Sequence, residues 1–488
     1  MTEAVLSRVG RSMVIRSSAK AIFAFTARSL QQVSTLVMTL LAARFLPPPE
    51  YGVYGLGIVF IILIQTLTYT GFYQFVLTAR EDDALVLSTC FWLIFALVSL
   101  ASGLLALAAY PLGWLFHSPD LGPVLLLLLL IQPLASIGAW SSAALLRRKA
   151  VMLNFQIMFA QNLVALVGGA LLLWFWHSLY ALVAFRYLRV ISGTLLYATF
   201  ARDWPSWRFS QAIARRATTF SSALYGSRML DFLALYAADL LLGVLHSPSA
   251  VGLYRFGNRL ATGASEMLTL TMSNFAITQF GEDARKQNDL ARTLARFSGT
   301  IALLAGIVAA VLIVFIGDVI PLFFNPAYAA ALGVTYAMAL RGLAGTGQML
   351  VEPAFSALDR TGWVMLFNLA TAVVATTAVV VATPFGLAAL AWTQATVVLC
   401  ATAWAFYLMK NRGGIDTGPA VRNFIGACLL SLAYGLTLYA ARRWLLPLLS
   451  LPPLPGLAAG LLGATALALA CLAIGVRLRL FSLKAFSG

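Results

Sequence analysis

Apolar residues in this chain come in runs of roughly 20, long enough at about 1.5 Å per residue to cross the hydrocarbon of a bilayer. Polar positions gather in short breaks between the runs, and those breaks predict about fourteen helical spans. They lie near residues 20–45, 53–79, 84–113, 121–146, 152–176, 178–201, 217–243, 250–280, 294–323, 328–357, 361–383, 385–409, 420–447 and 456–477. The expected fold class is an all-α integral membrane protein of about 14 transmembrane helices.

Self-similarity organises these spans. Leu40-Leu41, Pro48, Gly52-Val53-Tyr54 and Gly57 return about 200 residues later as Leu240-Leu241, Pro248, Gly252-Leu253-Tyr254 and Gly257. Leu115-Phe116-His117-Ser118-Pro119 is matched in the same way by Leu322-Phe323-Phe324-Asn325-Pro326. Two six-helix halves followed by a C-terminal helix pair are predicted, with divisions at 1–209 (a basic segment and the first half), 210–415 (the second half) and 416–488 (helices 13–14 and a basic tail). An even number of spans per repeat gives the halves one orientation, a transporter architecture with the substrate site expected between halves and alternating access by rocking.

Composition agrees with this class: 61% of the 488 residues are hydrophobic, 10% are charged and the mean hydropathy is +0.88. Cys90, Cys400, Cys428 and Cys471 all fall in apolar runs without disulfide or metal-ligand spacing, so no metal site is expected. The net charge of +16 follows topology rather than nucleic acid, which is not an expected partner. With the N-terminus inside, inner segments hold about 23 Lys and Arg and outer ones hold Arg44, Arg442 and Arg443. The positive-inside rule then predicts that both termini are cytoplasmic. The basic start lacks the h-region and cleavage site of a signal peptide, so it is expected to stay attached. The stretch from Arg202 to Arg216, with Trp204, Trp207 and Phe209, reads either as an interfacial segment at an anionic leaflet or as a solvated linker.

Seven arginines inside apolar spans change the picture most: Arg28, Arg186, Arg189, Arg228, Arg255, Arg259 and Arg341. Arginine at the bilayer centre costs at least about 3 kcal/mol, so it lines a bundle interior or a wet cavity and marks the handling of an anion. Guanidinium stays charged at physiological pH and offers a planar fork of donors suited to phosphate oxygens. Arg28, Arg228, Arg255, Arg259 and Arg341 are the candidate anion-binding residues. Arg255, Arg259 and Glu266 share one helical stripe, and Arg28 shares its face with Gln32 and Thr35. Arg228 and Asp231, at i,i+3, also read as a neutralised pair that staples spans, and Arg186 and Arg189 as bridges to acidic groups outside the central cavity. Asp231, Asp239, Glu266 and Glu352 are the candidates for coupling to H⁺ or Na⁺, with Asp239 and Glu352 close enough to span ends to be plain interfacial carboxylates.

The hairpin Ala42-Ala43-Arg44-Phe45-Leu46-Pro47-Pro48-Pro49-Glu50-Tyr51-Gly52-Val53-Tyr54 resembles the signature at the first helix pair of Wzx-type bacterial polysaccharide flippases, a branch of the multidrug/oligosaccharidyl-lipid/polysaccharide superfamily. Asp239-Leu240-Leu241-Leu242-Gly243 with Gly252-Leu253-Tyr254 is similar to that family's seventh and eighth helices. Ala357-Leu358-Asp359-Arg360-Thr361-Gly362 and Pro384-Phe385-Gly386-Leu387-Ala388-Ala389 resemble its eleventh and twelfth helix entries, and Ala144-Leu145-Leu146-Arg147-Arg148-Lys149 an inner loop of the exopolysaccharide-exporting subgroup. The resemblance runs from about residue 15 to 480 and departs at the long Pro47-Pro48-Pro49 run.

What it implies is a flippase, not an enzyme. It would move polyprenyl-pyrophosphate-linked oligosaccharide repeat units from the inner to the outer leaflet of the bacterial inner membrane, for exopolysaccharide or O-antigen assembly. A cationic central cavity would hold the head group, membrane lipids and polysaccharide polymerase machinery would be its neighbours, and no cofactor is expected. A peptidoglycan lipid-intermediate flippase or a multidrug exporter of the same superfamily is the alternative. A membrane-embedded glycan polymerase or ligase is a remote one, because His117, His177 and His246 sit in turns too short for a folded catalytic site. No phosphate-binding loop for nucleotide-driven transport occurs.

Overall fold

A computed structural model describes residues 30–481 apart from 32, 81–82 and 202–203; the side chains of 70, 223, 264–271 and 449 are also outside the description. Among the described residues every regular element is helical. The helices are α1 (Val33–Phe45), α2 (Pro48–Thr68), α3 (Thr70–Thr78), α4 (Asp83–Leu107), α5 (Ala109–Leu115), α6 (Leu121–Leu130), α7 (Gln132–Arg147), α8 (Val151–Trp176) and α9 (Leu179–Leu196). After a linker come α10 (Gln211–Leu245), α11 (Pro248–Arg285), α12 (Leu290–Phe323), α13 (Leu332–Ala344), α14 (Val351–Ala357), α15 (Thr361–Ala382), α16 (Leu387–Asn411), α17 (Gly418–Ala440) and α18 (Pro453–Arg477).

Nine of the described helical stretches are long and apolar enough to cross a membrane, and ten if α6 and α7, bent by 41° at Ile131, form one span. The protein is a multi-pass membrane protein. The remaining expected segments are mainly helical where described but lack an unbroken apolar span for identifiable reasons. Within 20–45 only Val33–Phe45 is described as a helix. α10 and α11 carry charged residues along their length, and 328–357 is broken by a turn between α13 and α14. The expected span 84–113 is likewise interrupted at Ala108, between α4 and α5.

Contacts divide the chain into two compact units, residues 1–236 with 247–251 and residues 237–246 with 252–488. The repeated motif does the same local work at both of its occurrences. α2 and α11 both open on a proline at the first helical turn, Pro48 and Pro248, where a missing N–H costs nothing. Gly57, nine residues on, lies against Leu128 and Val124 of α6, and a Cβ there would meet Leu128 at 2.9 Å. Gly257, nine residues after Pro248, lies against Val334 and Thr335 of α13 at 3.0–3.1 Å. α6 and α13 begin the fourth and tenth expected spans, so the repeat seen in sequence is a repeat of packing.

The faces that meet no protein are apolar. α15 leaves Val373, Val374, Val380 and Val381 exposed, a surface that water does not tolerate and lipid does. α17 packs on α12, where Ser298 Oγ donates to the Ala420 carbonyl at 3.0 Å and Asn423 Nδ2 to Ala295 at 3.0 Å, and it is tied to α18 by Tyr434 Oη donating to the Ala464 carbonyl at 3.0 Å. At the far end Arg442 reaches Asp318 at 2.5 Å. In the linker, Ser88 Oγ donates to the Ser206 and Arg208 carbonyls and Trp207 stacks on Trp92 with ring centroids 4.7 Å apart, which ties the segment to α4. All four cysteines are free.

Candidate functional site

In the first unit the site is built on α9. Ser178 caps its start, with the Tyr180 N–H 3.4 Å from the Ser178 hydroxyl, and the Glu50 carboxylate accepts from the Leu179 N–H at 3.2 Å. Two glycines of α8 let α9 approach closely: a Cβ at Gly168 would stand 2.6 Å from Leu188, and one at Gly169 2.6 Å from Phe185. Phe185 and Leu188 pack on α8, and Arg186, Arg189, Gly193 and Tyr197 form an adjoining stripe at i, i+3, i+7 and i+11, where Gly193 lets Gln161 of α8 come close.

That stripe lines a cavity of about 380 Å³. Its wall on α7 is made of Ala135, Gly138, Ala139 and Ser142, small residues on one helical face that leave room for the guanidinium groups. Gln31, Gln65 and Gln161 supply amides, and among the described residues no carboxylate lines it. Gln65 Nε2 donates to Gln132 Oε1 at 3.2 Å, and Tyr197 Oη to Asn154 Oδ1 at 2.8 Å, so the polar walls are braced from behind. Neither arginine has an ion-pair partner among the described residues, and Arg186 Nε is buried without an acceptor. The acidic bridges anticipated for this pair are therefore not present in the described chain. Arg189, ten residues into a helical stretch running from Leu179 to Ala201, lies about 15 Å from its start.

The second unit holds a different arrangement. Asp239 on α10, with only 7% of its side chain exposed, pairs with Arg255 on α11 at 3.5 Å. Asp239 Oδ1 is buried with no hydrogen-bond partner. Beside Arg255, Tyr254 Oη exchanges hydrogen bonds of 3.0–3.1 Å with the Gln394 amide of α16, and Arg341 on α13 donates to the same Gln394 Oε1 at 3.2 Å. Two of the anticipated arginines are thus gathered in one polar cluster, and Arg259 lies half-buried one turn along α11 from Arg255.

The other anticipated residues stand apart. Arg228 pairs with Asp231 at 3.5 Å with both side chains substantially exposed. Glu352 is exposed in the first turn of α14. Glu266 belongs to α11, but its side chain lies outside the description, and Arg28 lies outside the described residues altogether. His117 and His177 occupy turns with positive φ, and His246 Nε2 lies 2.7 Å from the Thr383 carbonyl.

The family model described as polysaccharide biosynthesis protein matches residues 41–333, well over half of the chain and all of α8, α9, α10 and α11. The chain belongs to this family. The amylovoran biosynthesis protein AmsL of Erwinia amylovora is a relative, 24% identical over 251 residues, which are 50% of this chain and 63% of AmsL. Among solved structures, a lipid II flippase, MurJ, in an inward closed conformation is similar over 93% of this chain and 99% of its own, with a TM-score of 0.72 at 12% identity. A multidrug resistance MATE transporter of the MOP superfamily, inward-facing, is similar over 80% of this chain and 98% of its own, with a TM-score of 0.59 at 12% identity. Family membership and fold together bear out the resemblance to the polysaccharide flippases of the multidrug/oligosaccharidyl-lipid/polysaccharide superfamily.

Proposed function

We propose that the protein is a flippase that carries polyprenyl-pyrophosphate-linked oligosaccharide repeat units from the inner to the outer leaflet of the bacterial inner membrane, by alternating access, for exopolysaccharide or O-antigen assembly. One observation carries the reading: a cavity inside an apolar helix bundle is lined, among the described residues, by two arginines and no carboxylate. Such a cavity repels organic cations, which disfavours multidrug export, and attracts a dianionic diphosphate whose oxygens accept the paired guanidinium donors. The amides of Gln31, Gln65 and Gln161 and the Ser142 and Thr194 hydroxyls are of the kind that meets sugar hydroxyls. Arg255, Arg259 and Arg341 of the second unit, and Arg28 outside the described residues, are the further candidates for contact with the pyrophosphate. Arg228, paired with Asp231, takes a bracing role.

Outward movement of a dianion is favoured by a membrane potential that is negative inside, by about 2.3 kcal/mol per charge per 100 mV for full transfer. An H⁺ or Na⁺ gradient acts, in this reading, through Asp239, the buried member among the described candidate carboxylates. The cytoplasm holds both termini, and polymerase machinery receives the flipped unit. Reconstitution tests the assignment of substrate. Proteoliposomes should flip a fluorescent polyprenyl-pyrophosphate oligosaccharide and fail to transport a fluorescent organic cation; transport of the cation alone would transfer the protein to the multidrug alternative.

A further inference from the structure

A cavity of about 1030 Å³ is not part of either polar cluster above. It lies in the second unit, where the starts of α12 and α17 meet the end of α18, and four arginines line it: Arg292, Arg296, Arg422 and Arg479. Its two carboxylates are already engaged with backbone. Asp289 accepts from the Ala291 N–H at 2.9 Å and Asp416 from the Gly418 N–H at 3.0 Å, each at the start of a helix. Asp283, whose charge reaches Arg296, is occupied by Thr293 at 2.5 Å, Asn288 at 2.9 Å and Gln279 at 3.3 Å. None of the four arginines forms an ion pair among the described residues, and Arg296 Nε is buried without an acceptor.

We propose that this pocket binds the phosphate of an anionic phospholipid headgroup. Four guanidinium groups and the positive ends of two long helices, α12 and α17, converge there, and phosphate oxygens are the acceptors that match them. The lipid source follows from what adjoins the pocket. Arg422 heads a stripe on α17 that continues through Ile425, Leu429, Leu432 and Leu436, all more than half exposed and spaced to run along one face. Leu478, also more than half exposed, adds apolar surface at the pocket's own edge. A headgroup held by Arg422 therefore has its acyl chains laid along an apolar track, which a soluble phosphate cannot use. Basic pockets between membrane helices on the cytoplasmic side hold anionic headgroups by this combination. The site takes part in neither the flipping step nor the binding of the oligosaccharide, so it stands whether or not the proposed substrate is correct.

Thermal unfolding of the purified full-length protein in detergent tests it, titrated separately with short-chain phosphatidylglycerol, short-chain phosphatidylcholine and inorganic pyrophosphate. Phosphatidylglycerol should raise the unfolding midpoint saturably and phosphatidylcholine should not. The Arg292→Gln/Arg422→Gln variant should bind it on the order of tenfold more weakly or worse. Both arginines are exposed, and Arg292→Lys/Arg422→Lys, which keeps the charges, should retain most of the binding and so separates loss of charge from loss of fold. Equal responses to the two lipids, or an unchanged response in the glutamine variant, would overturn the pocket. Pyrophosphate binding as tightly as phosphatidylglycerol, with the same dependence on Arg292 and Arg422, would overturn the lipid source and assign the pocket to a soluble phosphate compound.

Discussion

At the scale of the residue, what distinguishes this protein is which arginines are neutralised and which are not. Arg228 has Asp231 and Arg255 has Asp239, whereas Arg186 and Arg189 face amides and small residues. Asp239→Asn should remove the response of flipping to an imposed H⁺ or Na⁺ gradient while gradient-free flipping persists; an unchanged gradient response would take Asp239 out of the coupling. Outside the spans, Asp283 reports on folding. Burial pushes its carboxyl up, but hydrogen bonds from Asn288, Thr293 and Gln279 and the charge of Arg296 outweigh that and hold it below the ordinary carboxylate range. A depressed folded-state value gives stability that is fully present above the unfolded-state carboxylate range and is lost as pH falls through the folded value. The gap in unfolding midpoint between wild type and Asp283→Asn should therefore be constant near neutrality and close as pH falls below about 4. A gap that widens on acidification would reverse the assignment.

Elements show why the sequence was only partly legible. Pro48 and Pro248, Gly57 and Gly257 sit at one offset, and their identical roles at the start of α2 and α11 could be read from the chain because a local motif carries them. The α9 cavity could not, because its walls come from α7, α8 and the segment around Gln65 through packing that no spacing encodes. The available signal was the stripe of Arg186, Arg189, Gly193 and Tyr197, which points one way down a single helix. Hydropathy likewise underrates α10 and α11, the helices that carry Arg228, Asp239, Arg255 and Arg259, since charged groups inside a helix lower its apolar length. Close packing of α8 on α9 fixes the direction of that stripe. Gly169→Leu should drive the helices apart, destabilise the protein by about 1–3 kcal/mol and lower the unfolding midpoint; a neutral effect would mean that this contact is not what aims the arginines.

The molecule as a whole is two units of related packing with a further helix pair on α12 of the second, the fold of a membrane transporter. Charge bias along the chain adds an orientation that fold likeness alone does not supply. A fluorescent protein fused after Gly488 should fold and emit, and alkaline phosphatase fused there should be inactive, as expected for a cytoplasmic C-terminus; the reverse would invert the topology. Central to the account is that the unneutralised arginines of α9 hold the diphosphate while it crosses. The most direct test is the rate of flipping of a fluorescent polyprenyl-pyrophosphate oligosaccharide in proteoliposomes, comparing wild type with Arg186→Gln/Arg189→Gln at equal reconstitution. Loss of two charge-assisted contacts should slow flipping by at least about tenfold. Flipping by the variant at the wild-type rate would contradict it and leave the cavity a structural feature of the first unit.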